Sequence, residues 1–487
     1  MRKKLVSSKM SEERIFEIVR QVLARITPTS SERERISLIV KKVVDSLREV
    51  KKNYDIDYSI EVVGSYAKDT WLSGEADVDI FILFPPDIPE DSLGYYGLTI
   101  ARQAVEKIGG KCFERYATHP YIEAEVSGLI VDIVPAFKVS SPDKIISPVD
   151  RTPFHTRYVI SRVDERLKSE IRVLKRFMKG IGVYGAEIKV QGFSGYLAEL
   201  LVIYYGSFYE VLKNASKWKP KRVFIDIERF YEEKEKKKLL RIMPGAMVVI
   251  DPIDKNRNVA SALSIQKMCE FIAASREFLK TPSLDFFFPP RQFITKKDVS
   301  SLLEKRGTDI IVVSTKVPKL AEDVIWGQIY KSLDGLERLI KRFDFKVLSK
   351  GAWLSEENDL FFLFELENAE LPLIEKHYGP PVTSKNVDSF LEKYLGSPDA
   401  ISGPYIENDR WIVFRKRKYS TVSDLLKDRF HEARLGKHVL ESLSKKMEIL
   451  QGAEILKYLD KEGFKESLYN WLIKKPHWLR HEKAKFE

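Results

Sequence analysis

The sequence predicts a multidomain α+β protein, and three observations carry that expectation. At 487 residues the chain has room for about three domains of roughly 150 residues each. Apolar residues recur at helical spacing near the start, then give way to short apolar runs separated by turns. After Pro289-Pro290 the pattern changes again, to strand, helix, strand, strand, an order typical of α+β domains.

Taken in order, Ile15, Ile18, Val19, Val22 and Leu23 line one face of a first helix, and Ser31-Glu-Arg-Glu starts a second. Ser59–Val63 and Asp77–Phe84 read as strands. Tyr121–Val126 and Leu129–Val134 flank Ser127-Gly128, a hairpin turn. This helix-then-mixed-sheet unit ends near Pro148–Thr152. One long helix is then expected from Pro153 to about Gly180, with Thr152 as its cap and Pro153 in the first helical position. Leu167, Ile171, Leu174 and Met178 form its apolar stripe; Lys168, Arg172, Lys175 and Lys179 form a basic stripe on another face. Helices over Gly195–Val211 and Ser261–Leu279 make the second domain mainly helical. Beyond Pro290, Lys296–Arg306 and Ala321–Phe343 read as helices, with Asp309–Ser314, Phe345–Leu354 and Leu360–Glu365 as strands. The C-terminal stretch reads as helical and basic.

Composition excludes several classes. Charged residues make up 31% and hydrophobic residues 44%, which excludes a mainly disordered chain and a disulfide-dense miniprotein. No run of 18 apolar residues occurs; Glu199 breaks the nearest, Leu197–Tyr205, so a membrane span is not expected. The formal net charge of +11 favours polyanionic partners such as nucleic acid, although solubility alone accounts for it too. Cys112 and Cys269 lie far apart, which suits a reducing compartment and no thiolate zinc site. The first residues lack the apolar core of a signal peptide. The expected location is cytoplasmic.

The chemistry concentrates in Gly64-Ser65-Tyr66-Ala67-Lys68 and in Asp77-Val78-Asp79, which opens an apolar run. A Gly-Ser turn after a strand aims N–H groups and a hydroxyl at a phosphate. Strand residues two apart face the same side, so Asp77 and Asp79 project together. Two like charges on an apolar strand need a cation, and hard carboxylate oxygens suit magnesium (Mg²⁺). Asp132 interrupts another apolar strand. If the two strands are neighbours it joins the pair, and three carboxylates then hold two metals, the logic of nucleotidyl transfer. Each piece taken alone equally fits a solvated strand face or a loop edge.

The combination resembles the polymerase-β-type nucleotidyltransferase superfamily and, more closely, the archaeal (class I) CCA-adding enzymes. The match extends through Asp150-Arg-Thr-Pro-Phe-His155, Gly182-Val-Tyr-Gly-Ala-Glu187, Gly192-Phe-Ser-Gly-Tyr-Leu197 and Asp251-Pro-Ile-Asp-Lys-Asn-Arg-Asn-Val259. It is weaker beyond residue 290. The resemblance implies a polymerase-β-like catalytic head over 1–150, a helical central domain over 151–285 that completes the nucleotide pocket, and a tRNA-binding α+β region over 286–487. It implies template-independent addition of C, C and A to the 3′ end of tRNA from CTP and ATP, with release of pyrophosphate. Asp77, Asp79 and Asp132 would be the catalytic, metal-binding residues, with Asp132 accepting the 3′-hydroxyl proton. Ser65, Lys68, His155, Lys175, Tyr184 and Arg257 would bind the nucleotide, Arg257 reading the base. His119 and Arg415, Lys416, Arg417 and Lys418 would contact tRNA, and the family suggests a homodimer.

Two positions depart from the family: Lys68 stands where Arg is usual, which loses the bidentate fork, and Asp77 where Glu is frequent. Read without the resemblance, the Lys175 stripe fits a solvated face, His155 a helix-capping or packing role, Tyr184 a packed aromatic, Arg257 a surface salt bridge, and Arg415–Lys418 the solvent face of an edge strand. The competing functions are another superfamily polymerase, such as a poly(A) polymerase or oligoadenylate synthetase, and a non-catalytic RNA-binding relative.

Overall fold

The computed structural model describes residues 2–116 and 120–480; His119 lies outside them. Helices α1 (Arg2–Ile26) and α2 (Ser30–Lys51) open the chain. The cap of α2 is Thr29, whose hydroxyl accepts the Glu32 N–H at 3.2 Å. Then follow β1 (Ser59–Val63), the one-turn helix α3 (Gly64–Ala67), β2 (Val78–Phe84), α4 (Glu90–Lys107), β3 (Lys111–Tyr116), β4 (Pro120–Val126) and β5 (Leu129–Phe137). The strands form one mixed sheet in the order β1-β2-β5-β4-β3. Ser127 and Gly128 both have positive φ, 51° and 74°, as a two-residue hairpin turn requires. Helix α4 and strand β3 fall outside the elements expected from pattern. Strand β3 lies at the sheet edge and is largely exposed, so it carries no apolar alternation.

Strand β2 is buried on both faces. Val78, Ile80, Ile82 and Phe84 pack with α2 residues Ile36, Val40, Val43 and Leu47. Phe81 and Leu83 pack on Val63 and Ala136 on the other side. That explains the apolar run Ile80–Phe84.

The helical region holds α5 (Arg151–Arg162), α6 (Glu165–Gly180), α7 (Gly195–Tyr205), α8 (Phe208–Ala215), β6 (Phe224–Ile225), α9 (Glu233–Ile242), β7 (Val248–Asp251), β8 (Asp254–Asn258) and α10 (Ile265–Lys280). The helix expected from Pro153 to Gly180 is therefore two. The Asp164 carboxylate accepts the Leu167 N–H at 2.8 Å, capping α6 and fixing the break. Helix α1 packs here: Ile15, Ile18, Val22 and Ile26 share a core with Ile171, Leu174, Phe177 and Leu201.

Contacts divide the chain into two compact units. One runs up to Arg291 and includes the residues from Pro476 onward; the other is Gln292–Lys475. Trp478 belongs to the first, stacked on Phe286 at 5.7 Å. The second unit contains α11 (Lys296–Glu304), β9 (Asp309–Lys316), α12 (Glu322–Arg342), β10 (Val347–Leu354), β11 (Asp359–Leu366), β12 (Ile374–Pro381), α13 (Val387–Tyr394), β13 (Ala400–Glu407), β14 (Arg410–Lys416), α14 (Val422–Arg429), α15 (Lys437–Lys445), β15 (Glu448–Gln451) and α16 (Phe464–Ile473). Its sheets run β10-β11-β9-β15 and β12-β14-β13. Among the described residues no helix is long and apolar enough to cross a membrane.

Candidate active site

Asp79 and Asp132 meet in the middle of the head sheet. Strands β2 and β5 are parallel, and their register pairs Asp79 with Asp132 directly, so both side chains lie on one face. Asp77 immediately precedes β2, exposed at its entrance. Burial pushes Asp79 up to about 6, with the Asp77 charge adding to the rise. Burial likewise raises Asp132 to about 7, helped by Asp79 and Glu123. Partial desolvation by its surroundings raises Asp77, against the pull of Lys179. Each carboxylate thus feels its neighbours.

Divalent cations fit this donor set. Asp132 Oδ1 is buried without a hydrogen-bond partner, and an acceptor-only oxygen in that state calls for a cation. Among the described residues no group of three His, Cys, Asp or Glu side chains is arranged to hold a metal ion; Asp79 and Asp132 share a face, while Asp77 lies just before β2.

The turn beside them is built around Gly64. Its φ is +74°, and a Cβ there would lie 1.9 Å from Asp79 Oδ2. Its N–H donates to Thr156 Oγ1 on α5 at 3.2 Å. Ser65 follows, half-buried, in the first turn of α3.

The basic stripe of α6 is neither solvated nor spread over a free surface. It grips the loop that joins the Gly-Ser turn to Asp77. Arg172, 2% exposed, donates to the Asp69 carboxylate at 2.8 Å and to the Trp71 carbonyl at 3.1 Å. Arg176 and Lys179 both pair with Glu75. Lys175 is buried and donates to Glu199 at 2.8 Å and Thr70 Oγ1 at 2.9 Å. Lys68, also buried, meets the other Glu199 oxygen at 2.6 Å.

A second cluster gathers around Asp251. Asp251, fully buried, accepts Arg257 Nη1 at 2.8 Å, the Tyr196 hydroxyl at 3.2 Å and the Ile253 N–H at 3.1 Å. His155 Nε2 lies 2.8 Å from Asp251 Oδ2, and its ring stacks on Tyr196 at 4.0 Å. Burial lowers the His155 pKa, partly offset by Asp251. His155 sits in the second turn of α5, since the helix begins at Arg151. Asp254 does not reach Arg257; it pairs with Arg151 at 3.2 Å. Tyr184 lies under Lys179, whose Nζ is 5.1 Å from its ring, and against Gly195, where a Cβ would come within 2.8 Å of its hydroxyl.

Comparison with known proteins follows the same division. The nucleotidyltransferase domain family matches residues 41–155. The family described as tRNA nucleotidyltransferase, second domain, matches 169–288, and the CCA-adding enzyme C-terminal domain matches 306–452. The CCA-adding enzyme of Methanosarcina barkeri is 41% identical over 93% of this chain and 97% of its own. This chain belongs to the CCA-adding enzyme family. The CCA-adding enzyme of Methanosarcina mazei is 38% identical over the same shares, 93% and 97%. A solved structure of a cytoplasmic RNA terminal U-transferase, 15% identical, superposes with a TM-score of 0.44 over 56% of this chain and 98% of that one. CCA-adding enzymes are nucleotidyltransferases, and the α+β multidomain architecture is that of the family.

In the second unit of this CCA-adding enzyme homologue, Arg415–Lys418 do not lie on an edge strand. Strand β14 is central between β12 and β13. Arg415 donates to Glu375 at 2.7 Å and to the Tyr394 hydroxyl at 2.6 Å, and Arg417 pairs with Asp344 at 2.8 Å and Glu375 at 3.1 Å. Lys416 and Lys418 are exposed. All four line a cavity of about 950 Å³ with Lys376 and Lys393. Of the neighbouring rings, Phe414 stacks parallel to Tyr405 and Tyr419 is buried.

Sequence reasoning missed Glu199, Tyr196, Thr156 and Asp69 as parts of this site. For Glu199 the signal was present: one acid inside the apolar helix α7 implies a buried partner.

Proposed function

We propose that this chain extends the 3′ end of tRNA by C, C and A, using CTP and ATP without a nucleic-acid template. The observation that carries the proposal is the in-register pair Asp79 and Asp132 beside the Gly64-Ser65 turn, in a chain that aligns with CCA-adding enzymes almost end to end. The head over 1–150 and the helical region over 151–285 form the nucleotide pocket, and 286–487 binds the body of the tRNA.

Asp77, Asp79 and Asp132 would hold divalent ions, for which the hard oxygen donors favour Mg²⁺. When bound, the ions lower the pKa of the attacking hydroxyl and neutralise charge on the leaving pyrophosphate. Asp132 accepts the proton of the tRNA 3′-hydroxyl. The hydroxyl of Ser65, the ammonium groups of Lys68 and Lys175, His155 and Tyr184 contact the triphosphate. Arg257, held by Asp251, offers donors to acceptor atoms that cytosine and adenine share, which disfavours uracil and guanine. Lys416, Lys418, Arg415 and Arg417 contact the tRNA backbone, and His119 its acceptor end. The protein acts as a cytoplasmic homodimer.

The test uses tRNA that ends before CCA, with labelled CTP and ATP singly and together. CTP alone should add two residues, and both together should complete CCA. Long runs of A from ATP alone would establish a poly(A) polymerase instead.

A further inference from the structure

Glu199 is fully buried on α7, yet it carries no part of the reaction as described so far. Its Oε2 receives the Lys68 ammonium at 2.6 Å, and its Oε1 receives Lys175 at 2.8 Å and the Thr70 hydroxyl at 2.7 Å. Thr70 Oγ1 accepts a further Lys175 hydrogen bond at 2.9 Å, so the hydroxyl donates to one partner and accepts from the other. Lys68 ends the Gly-Ser turn of the head, whereas Lys175 belongs to α6. One carboxylate therefore fixes two cations from two different cores.

The charge count is unequal. Two ammonium groups meet one carboxylate, and among the described residues neither lysine has a second ion-pair partner. A purely structural buried ion pair is balanced, because an uncompensated buried charge is costly. Lys68 lies beside the turn that carries Ser65; burial works against its charged form, and Glu199 and Asp79 support it. A polyphosphate entering beside Ser65 would supply the missing negative charge.

We propose that Glu199 is a positioning residue, holding Lys68 and Lys175 side by side as a two-point anchor for the phosphate chain of the incoming nucleotide. This rests on the nucleotidyltransferase reading above. Glu199 does not touch the substrate. It sets the spacing and direction of the two ammonium groups, and Thr70 locks that geometry.

The test uses the full-length protein and two variants, Glu199→Gln and Thr70→Val, with inorganic tripolyphosphate as the probe. KM and kcat are measured for CTP and ATP, KM for tRNA, and Tm with and without tripolyphosphate. Glu199→Gln should raise the KM of both nucleotides roughly tenfold or more, the scale of a lost hydrogen bond to a charged group, while KM for tRNA stays unchanged. It should also lose the rise in Tm that tripolyphosphate gives the parent. Thr70→Val keeps the carboxylate and should show the same split more weakly; if Glu199→Gln fails to fold, Thr70→Val decides. Wild-type nucleotide KM and a wild-type tripolyphosphate response in a folded variant would overturn the proposal, leaving Glu199 as a buttress between two cores. A parent protein that responds to tripolyphosphate but incorporates neither C nor A would overturn the assigned function instead.

Discussion

Asp79 and Asp132 stand opposite one another across the parallel β2–β5 pair, and the backbone of Gly64 closes over Asp79 with no room for a methyl group. Adjacent carboxylates between two buried faces oppose folding unless a cation joins them. A divalent cation, which the protein chain does not supply, relieves that repulsion while both carboxylates stay ionised.

That cost can be measured. Asp79→Asn and Asp132→Asn each remove one of the repelling charges, so each should leave Tm in chelator equal to or above that of the parent. Adding Mg²⁺ should raise the parent's Tm and leave both variants unmoved. Nucleotide incorporation should fall by roughly 10²–10³-fold or more, with tRNA binding retained. Thermal melts with and without chelator, run beside a gel-shift assay, separate metal binding from RNA binding.

Gly64→Ala tests the turn. A side chain there must occupy φ +74° and would meet Asp79 Oδ2 at 1.9 Å. The backbone penalty is about 1–2 kcal/mol, and relieving the clash displaces Asp79. The variant should fold with a modestly lower Tm yet lose most incorporation, and Ser65→Ala, which leaves the backbone alone, should lose less. Equal activity of Gly64→Ala and the parent would show that Asp79 is not held where the structure places it.

Much of this was legible in the sequence because the chemistry interrupts the pattern. Asp79 and Asp132 break apolar strands, and Ser127-Gly128 announces its own turn. In the second unit β9, α12, β10 and β11 were readable from pattern, since α12 is amphipathic and β9 and β11 are almost wholly buried, whereas β12, α13 and β13 were not read as elements. What was not legible depended on partners distant in sequence. The α6 lysines and arginines look like a solvated stripe until Asp69, Glu75 and Glu199 arrive from elsewhere. Arg415 and Arg417 look like free phosphate binders until Glu375 on β12 pairs with both. Asp164 looks like an ordinary helix residue until it caps α6.

Arg257 and Asp251 should behave as a unit. Arg257→Met should raise the KM for CTP and ATP and weaken discrimination against UTP and GTP, because the donors that match cytosine and adenine are gone. Asp251→Asn keeps the donors but removes the charge that orients Arg257 and His155; it should reproduce most of that loss. The double variant should cost little more than either single one. Misincorporation assays with single nucleotides supply the measurement, and additive effects would place the two residues in separate roles.

The second unit carries its own acid-sensitive link. Burial alone would raise the Glu365 pKa; hydrogen bonds from Arg306 and Lys474 outweigh it and pull the carboxyl down to about 2. A folded-state pKa below the unfolded value near 4.5 stabilises the unit at higher pH. That contribution is lost as pH falls from about 4.5 toward 2. Glu365→Gln should lower Tm at pH 7, and the gap to the parent should close as the pH falls through that window. A gap that stays constant would mean that the ionisation of Glu365 contributes nothing to stability.

The four cations of Arg415–Lys418 should separate into two pairs when tRNA binding is measured against salt. Arg415 and Arg417 already share Glu375, with Asp344 also on Arg417, so part of their charge is neutralised within the protein. Lys416 and Lys418 are exposed and free to displace counterions from a phosphate backbone. Lys416→Ala and Lys418→Ala should therefore each reduce the slope of log K against log salt by up to about 1 while leaving Tm unchanged. Arg415→Ala should instead lower Tm, because Glu375 loses one of its two partners and the Tyr394 hydroxyl its donor, with a smaller change in slope. Slopes that respond equally to all four substitutions would mean that tRNA displaces Glu375 and recruits both arginines on binding.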